Sequence, residues 1–337
     1  MSRQPLSDQL DQAITGILSN PVVRPLSDDA TLQELFAIAR DLDGMPRPDF
    51  KARLETTLVE RGAEMSQKTA NEQTVREQET TTDDGIFRPG FRTLTPYLSG
   101  VGAERVIDFI KEVFDGEESA RANIAPGRFH AEMRVGDSML MIGGNDEYEG
   151  VPWRGELQVY VPDADATYQR ALDAGAESLA EMADSRGDRF GAVRDAFGNR
   201  WYISTRMGGH YIPEGQQSVT TWIHTSSASG FIDFMIEALG AEVTERHDSP
   251  EGLVMHAKIQ IGNSVFHTSE AHDWWQPMPT MMYMTVPDAD AVYERAIAAG
   301  AKSIMPPTDQ AYGDRQGGVE DPFGNQWYMS TPIRSPE

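Results

Sequence analysis

Three stretches of this 337-residue chain occur twice, at an almost constant separation. HAEMRVGDSM (His130–Met139) returns as HAKIQIGNSV (His256–Val265), 126 residues later. VPDADATYQRALDAGAESL (Val161–Leu179) returns as VPDADAVYERAIAAGAKSI (Val286–Ile304), offset 125. GDRFGAVRDAFGNRWYIST (Gly187–Thr205) returns as GDRQGGVEDPFGNQWYMST (Gly313–Thr331), offset 126. A fixed offset held over such a length means two copies of one domain, here 89–209 and 215–334.

Each copy divides again. A strand (TLTPYL or SVTTWI) leads into a helix at Val106–Phe114 or Phe231–Leu239. Alternating runs HAEMRV and SMLMI, or HAKIQI and SVFHT, read as strands. The second half repeats the plan. LQVYV or MYMTV meets PDAD, where Asp163 or Asp165 can cap the next helix, and Gly175 stands where a helix C-terminus belongs. Gly187, Gly191 and the segment Asp195–Asn199 mark tight turns between the last strands. The order β-α-β-β-β, twice per copy, predicts an α+β architecture.

Residues 1–63 are expected to be helical. Leu10, Ile14, Ile17 and Leu18 recur at helical spacing, Thr31 and Glu34 form a capping-box pair, and Phe50, Leu54 and Leu58 make a third stripe. Residues 64–88 are rich in Gln, Thr and Glu and read as a flexible linker.

Composition narrows the function. The absence of cysteine excludes disulfides and thiolate chemistry. The net charge of −24 repels phosphate backbones and anionic membranes, so no nucleic-acid or membrane partner is expected. No apolar run reaches the ~20 residues of a membrane helix, and a cytoplasmic location is expected. There is no GxxxxGK[ST] loop, no GxSxG elbow and no GxGxxG after a strand.

The repeated VPDADA, the AGA before a strand and the closing GDRxGxVxDxFGNxWYxST resemble the vicinal-oxygen-chelate superfamily of glyoxalase I, bleomycin-resistance proteins and extradiol dioxygenases. The resemblance covers about residues 90–333. It implies two tandem domains, each of two βαβββ units curling into cup-shaped mixed sheets. It also implies an internal pseudo-dimer in which each cup takes residues from both copies, with homodimerisation left open.

Metal enzymes of this superfamily carry His or Glu ligands on several strands. Carried onto this chain, those positions fall at Thr95, Met141, Met281 and Tyr328 in one cup, and at Thr220, His267, Glu156 and Tyr202 in the other. The first set has no strong ligand. The second offers one imidazole and one carboxylate, short of the three or four good ligands a strong site needs. No cofactor is therefore expected; a divalent metal, if any, would sit on His267 and Glu156. Without a metal, His267 is the candidate acid/base, Glu156 its orienting partner and Tyr202 a donor to substrate. Pocket-wall roles or a simple hydrogen-bonded pair are the alternative for Glu156 and His267.

Aromatic and methionine side chains supply the candidate ligand lining: Tyr97, Trp153, Thr220, Trp222, His224, Trp274, Trp275, Met281, Tyr283 and Tyr328. Trp and Met suit a flat apolar or aromatic small molecule. His224 is expected just past its strand at a pocket mouth, His130 and His256 as a structural pair, and His210, His247 and His272 in polar loops. Arg189 and Arg315 of the GDR motifs are expected to pair with Asp195 and Asp321. Three functions follow: metal-independent binding of a small apolar metabolite, a lyase, isomerase or dioxygenase-type enzyme using Glu156 and His267, and a regulatory or scaffolding protein acting through its N-terminal helices.

Overall fold

The computed structural model describes residues 85–145, 147, 152–273 and 275–333. The expected helical region, the linker up to residue 84, and Trp274 lie outside them. Four βαβββ units follow one another. The first holds β1 (Leu94–Gly100), α1 (Glu104–Phe114), β2 (Glu117–Ala125), β3 (Arg128–Val135) and β4 (Ser138–Asn145). The second holds β5 (Glu156–Tyr160), α2 (Ala164–Asp173), β6 (Glu177–Ser185), β7 (Asp188–Arg194) and β8 (Arg200–Arg206). The third holds β9 (Val219–Thr225), α3 (Ala228–Leu239), β10 (Glu242–Asp248), β11 (Val254–Ile261) and β12 (Ser264–Glu270). The fourth holds β13 (Met281–Thr285), α4 (Ala289–Ala298), β14 (Lys302–Asp309), β15 (Asp314–Glu320) and β16 (Gln326–Pro332).

The PDAD motifs start α2 and α4 as capping chemistry requires. Asp163 accepts from Ala166 N and Asp288 from Ala291 N, each at 2.9 Å. Gly175 has φ +86°, a left-handed conformation that favours glycine at a helix exit.

The units pair across the copies. Sheet I runs β14-β15-β16-β13-β1-β4-β3-β2, and sheet II runs β10-β11-β12-β9-β5-β8-β7-β6. Each eight-stranded sheet therefore takes one unit from each copy, joined by antiparallel β1–β13 or β5–β9. The apolar cores divide differently. Residues of α1 and α2 pack with one face of β3, β4, β5, β7 and β8, and those of α3 and α4 with one face of β11, β12, β13, β15 and β16. Apart from Leu94 of β1 in the second core and Val219 of β9 in the first, hydrophobic burial thus closes each repeat on itself, whereas backbone hydrogen bonding joins the repeats and builds the cups.

Period-two alternation sets which side chains enter a cup. On β5, Leu157 and Val159 belong to a core, leaving Glu156, Gln158 and Tyr160 on the other face. On β1, Leu94 and Leu98 are core residues, leaving Thr95, Tyr97 and Ser99.

The GDS and GNS turns fasten the copies reciprocally. Asp137 Oδ1 accepts from Ser218 N at 2.8 Å, and Ser138 Oγ from Val219 N at 3.0 Å. Asn263 Oδ1 accepts from Thr93 N and Ser264 Oγ from Leu94 N, both at 2.8 Å. Gly136 and Gly262 have φ +57° and +53°, and a Cβ on either would come within 2.2 Å of Ser218 Oγ or Thr93 Oγ1. Glycine is required there by both conformation and close approach.

The DxFGN segments are equally structural. Asp195 Oδ1 accepts from the backbone of Phe197, Gly198 and Asn199, and its Oδ2 from Asn199 Nδ2 and Trp201 Nε1. Asp321 repeats this with Phe323, Asn325 and Trp327. Because the aspartates are so occupied, the GDR arginines do not reach them. Arg189 instead pairs with Asp165 and Asp184, and Arg315 with Asp290 and Asp309, tying the third strand of the unit to the helix entry. Gly191 is not at a turn: it lies within β7, where a Cβ would approach Met182 Sδ to 2.4 Å.

Candidate functional site

The concave face of sheet II carries a buried charged cluster. Asn199 of the DxFGN turn accepts from Gly155 N at 3.0 Å, which places Glu156 at the start of β5 beside Arg200 at the start of β8. Glu156 is 2% exposed. Its Oε1 accepts from Arg200 Nη1, while Oε2 accepts from Tyr202 OH at 3.1 Å and is bonded to His224 Nδ1. A buried carboxylate costs several kcal/mol unless paired and hydrogen-bonded, and here both oxygens are engaged. Tyr202 is pushed well above its ordinary pKa, first by burial and then by the Glu156 charge, so the phenol stays a proton donor.

Aromatic rings enclose the pair. The His224 ring lies 5.7 Å from Trp222 and 4.8 Å from Trp275. Trp275 also meets Tyr202 at 4.9 Å. It comes from the β12–β13 connection, held by paired backbone bonds with His272, and the adjoining Gln276 carbonyl accepts from Arg200. Trp222 Nε1 donates to Gln158 at 2.9 Å.

His267 stands on the other side of Trp222. The Cα partners of Trp222 are Glu156 on β5 and His267 on β12, so one strand separates the two side chains. The expected Glu156–His267 pair is thus replaced by Glu156–His224. His267 Nδ1 instead meets His256 Nε2 at 3.0 Å, and its ring stacks on Trp222 at 4.9 Å. Burial, with smaller effects from His256 and Lys258, pushes His267 down to about 3, and His256 is also lowered, chiefly by burial. Both are neutral near pH 7.

His224 is the candidate site residue that strand-end reasoning misplaced. It is the last but one residue of β9, buried, and shares the face of Thr220 and Trp222. Its two-residue spacing from Trp222 was the available signal. His247 lies on edge strand β10 rather than in a loop. Trp153 forms a backbone bridge with Ser99 at the end of β1, which places it beside sheet I.

Sheet I gathers Thr95, Tyr97, Met141, Met281, Tyr283 and Tyr328. Tyr97 OH bonds His130 Nδ1 at 3.1 Å, and Tyr283 OH donates to Asp314 at 2.7 Å. Phe91, Met139 and Met141 form a small cluster with Tyr97 and Tyr283. Burial pushes Tyr97 up to about 12.

A resident metal does not fit the superfamily positions. In sheet II, Thr220 and Tyr202 occupy two of them, and the Glu156 carboxylate is already neutralised by Arg200. Among the described residues, three His, Asp or Glu ligand atoms converge only at Glu245, His247 and His256, on β10 and β11 rather than at the superfamily positions. No described helix is long and apolar enough to cross a membrane.

Known proteins place the chain. The model of the Glyoxalase/Bleomycin resistance protein/Dioxygenase superfamily matches residues 219–329. Uncharacterized proteins of Mycobacterium bovis and of Mycobacterium tuberculosis H37Rv are 33% identical over 123 residues, which span 32% of this chain and 78% and 69% of theirs. The crystal structure of glyoxalase I from Zea mays is similar in fold, with a TM-score of 0.57 at 14% identity, covering 71% of this chain and 92% of that one. Two cross-copy sheets of paired βαβββ units, the family model and these relatives agree: the chain belongs to the glyoxalase/bleomycin-resistance/dioxygenase superfamily.

Proposed function

We propose that the protein binds a small, flat, neutral metabolite in the cup of sheet II, against Trp222 and Trp275, with a polar group of the ligand on the Glu156–His224 cluster. The observation that carries this is the buried Glu156–Arg200–His224–Tyr202 set, present on only one of two otherwise matching sheets. Buried charges are costly for folding alone, and such perturbed clusters mark functional sites. Tryptophan faces supply broad apolar contact, and the acidic surface disfavours anions. Trp275, on an irregular connection, is the cover a ligand displaces. Titrating 2-naphthol against the intrinsic tryptophan fluorescence tests this. Saturable quenching that weakens at least tenfold in Trp275→Ala and Glu156→Gln supports the reading. Unchanged quenching in both variants rejects it.

One observation favours proton transfer as a second reading. Glu156 holds His224 through Nδ1, which makes Nε2 the nitrogen to take a ligand proton, with Tyr202 on the same carboxylate. This is lyase or isomerase chemistry with His224 in the role expected of His267. Solvent deuterium exchange into the carbon acid of a bound ligand, abolished by His224→Ala, is its signature. Exchange that survives the substitution removes the catalytic reading and leaves binding intact.

A further inference from the structure

The lip of the sheet II cup holds a second cluster that the Glu156 site does not use. Glu245 and His247 stand two residues apart on β10, an edge strand, and so share a face. His247 is the Cα partner of His256 on β11. His247 Nε2 lies 2.7 Å from a Glu245 oxygen. One ligand atom from each of Glu245, His247 and His256 lies within 4.8 Å of the others. Glu245 and His247 are exposed, so their side chains can rotate into tetrahedral coordination.

We propose that Glu245, His247 and His256 bind a borderline transition-metal ion of the zinc class at the lip of the sheet II cup. Two imidazoles and a carboxylate, with water in the fourth position, form a common open zinc set. His256 Nε2 is taken by His267, which leaves Nδ1 to coordinate. Metal ligands of this kind are usually oriented by a hydrogen bond at the other ring nitrogen, and His267 supplies it. Coordination at Nδ1 keeps the His256 proton on Nε2, where it donates to His267 Nδ1. His267 then carries its own proton on Nε2, a buried atom without a hydrogen-bond partner in the structure. The ion thereby sets the tautomer of a ring stacked on Trp222, in the cup itself.

Two features bound the affinity. Lys258 on β11 and Arg186 in the β6–β7 turn both act electrostatically on His256 and oppose a cation. Glu245 offsets one of those charges. Micromolar binding is expected. Sheet I provides an internal contrast: the strand partners corresponding to Glu245 and His247 are Ala120 and Ala122 on β2, which offer no ligand.

The test is calorimetric titration of zinc into the chelator-treated, tag-free full chain, with imidazole tautomers followed by long-range nitrogen–proton NMR. One equivalent should bind. His247→Ala and Glu245→Gln should each weaken it at least tenfold, and both sites are exposed, so folding is not at stake. His272→Ala and His210→Ala, which remove exposed histidines elsewhere, should leave it unchanged. The His256 and His267 resonances should move together, with His224 nearly still. Less than a third of an equivalent, equal loss in His272→Ala, or unchanged binding in His247→Ala overturns the proposal. Failure here leaves the Glu156–His224 reading untouched, because neither residue takes part.

Discussion

The two cups are built from the same repeat, yet they hold opposite chemistry. Where sheet II has Glu156, Arg200, His224 and His267, the equivalent positions of sheet I are Met281, Gln326, Ser99 and Met141. Tyr202 and Tyr328 are retained in both. Tyr202 donates to Glu156, whereas Tyr328 donates to Gln326 at 3.2 Å. The frame that positions them is also retained: the Asp195 and Asp321 turns and the GDS and GNS fasteners are the same in each half. A fold can therefore be kept by its turns and core while the cup face changes freely, because that face contributes little to the apolar cores.

Exchanging residues between the cups tests how far this holds. The largest effect is expected from Glu156→Met, which gives sheet II the residue of sheet I. It leaves Arg200 and His224 without their acceptor and should cost about 3 kcal/mol in a urea melt. Adding Arg200→Gln should recover part of that, since the two residues act as a pair. Simple additivity of the two losses would show that they are not coupled.

The converse substitution, Met281→Glu, places a carboxylate in sheet I where the neighbouring position is Gln326 and not arginine. Destabilisation of about 2 kcal/mol is expected at pH 7. Its folded pKa should be raised above the unfolded value, so the loss should shrink as pH falls through the carboxylate range. A melt that is independent of pH between 7 and 4 relative to the parent would contradict this. His224→Ser, again the sheet I residue, removes one partner of Glu156 and should cost about 1 kcal/mol while abolishing any proton exchange. Retained exchange would return the acid/base role to another residue.

The smallest effect concerns Tyr97, the counterpart of Trp222. Its pKa is raised by burial to about 12, against an unfolded value of 10.0. A raised folded pKa means that stability is lost as pH rises from 10 towards 12. At pH 11 the loss is about 1 kcal/mol. Tyr97→Phe should remove that increment, and identical alkaline melts of the two proteins would refute it.

Much of this was legible in the chain. The repeat offset, the PDAD caps and strand alternation give four βαβββ units and their faces, because caps and pleats are local. The pairing of the copies and the inequality of the cups also followed from the resemblance together with residue identity. Glu156 and Tyr202 were placed on one cup face by the superfamily's ligand positions carried onto this chain. Their partner was not. His224 read as a residue beyond its strand, since strand ends have no sharp local signal in TTWIHTSSA. The GDR arginines were misassigned for a related reason: Asp195 and Asp321 follow them in the same motif, but backbone amides and an indole had already filled those aspartates.

The sequence by itself determined the units, their order and the residues offered to each cup. Those depend on dihedral preferences and on a two-residue period within a few neighbours. Tertiary structure decided which offered residues meet. Glu156 joins His224 rather than His267 because the register of β5 on β9 and of β12 on β9 puts Trp222 between the two. Cross-strand register is set by hydrogen bonds between segments far apart in the chain, and that information lies in no single segment.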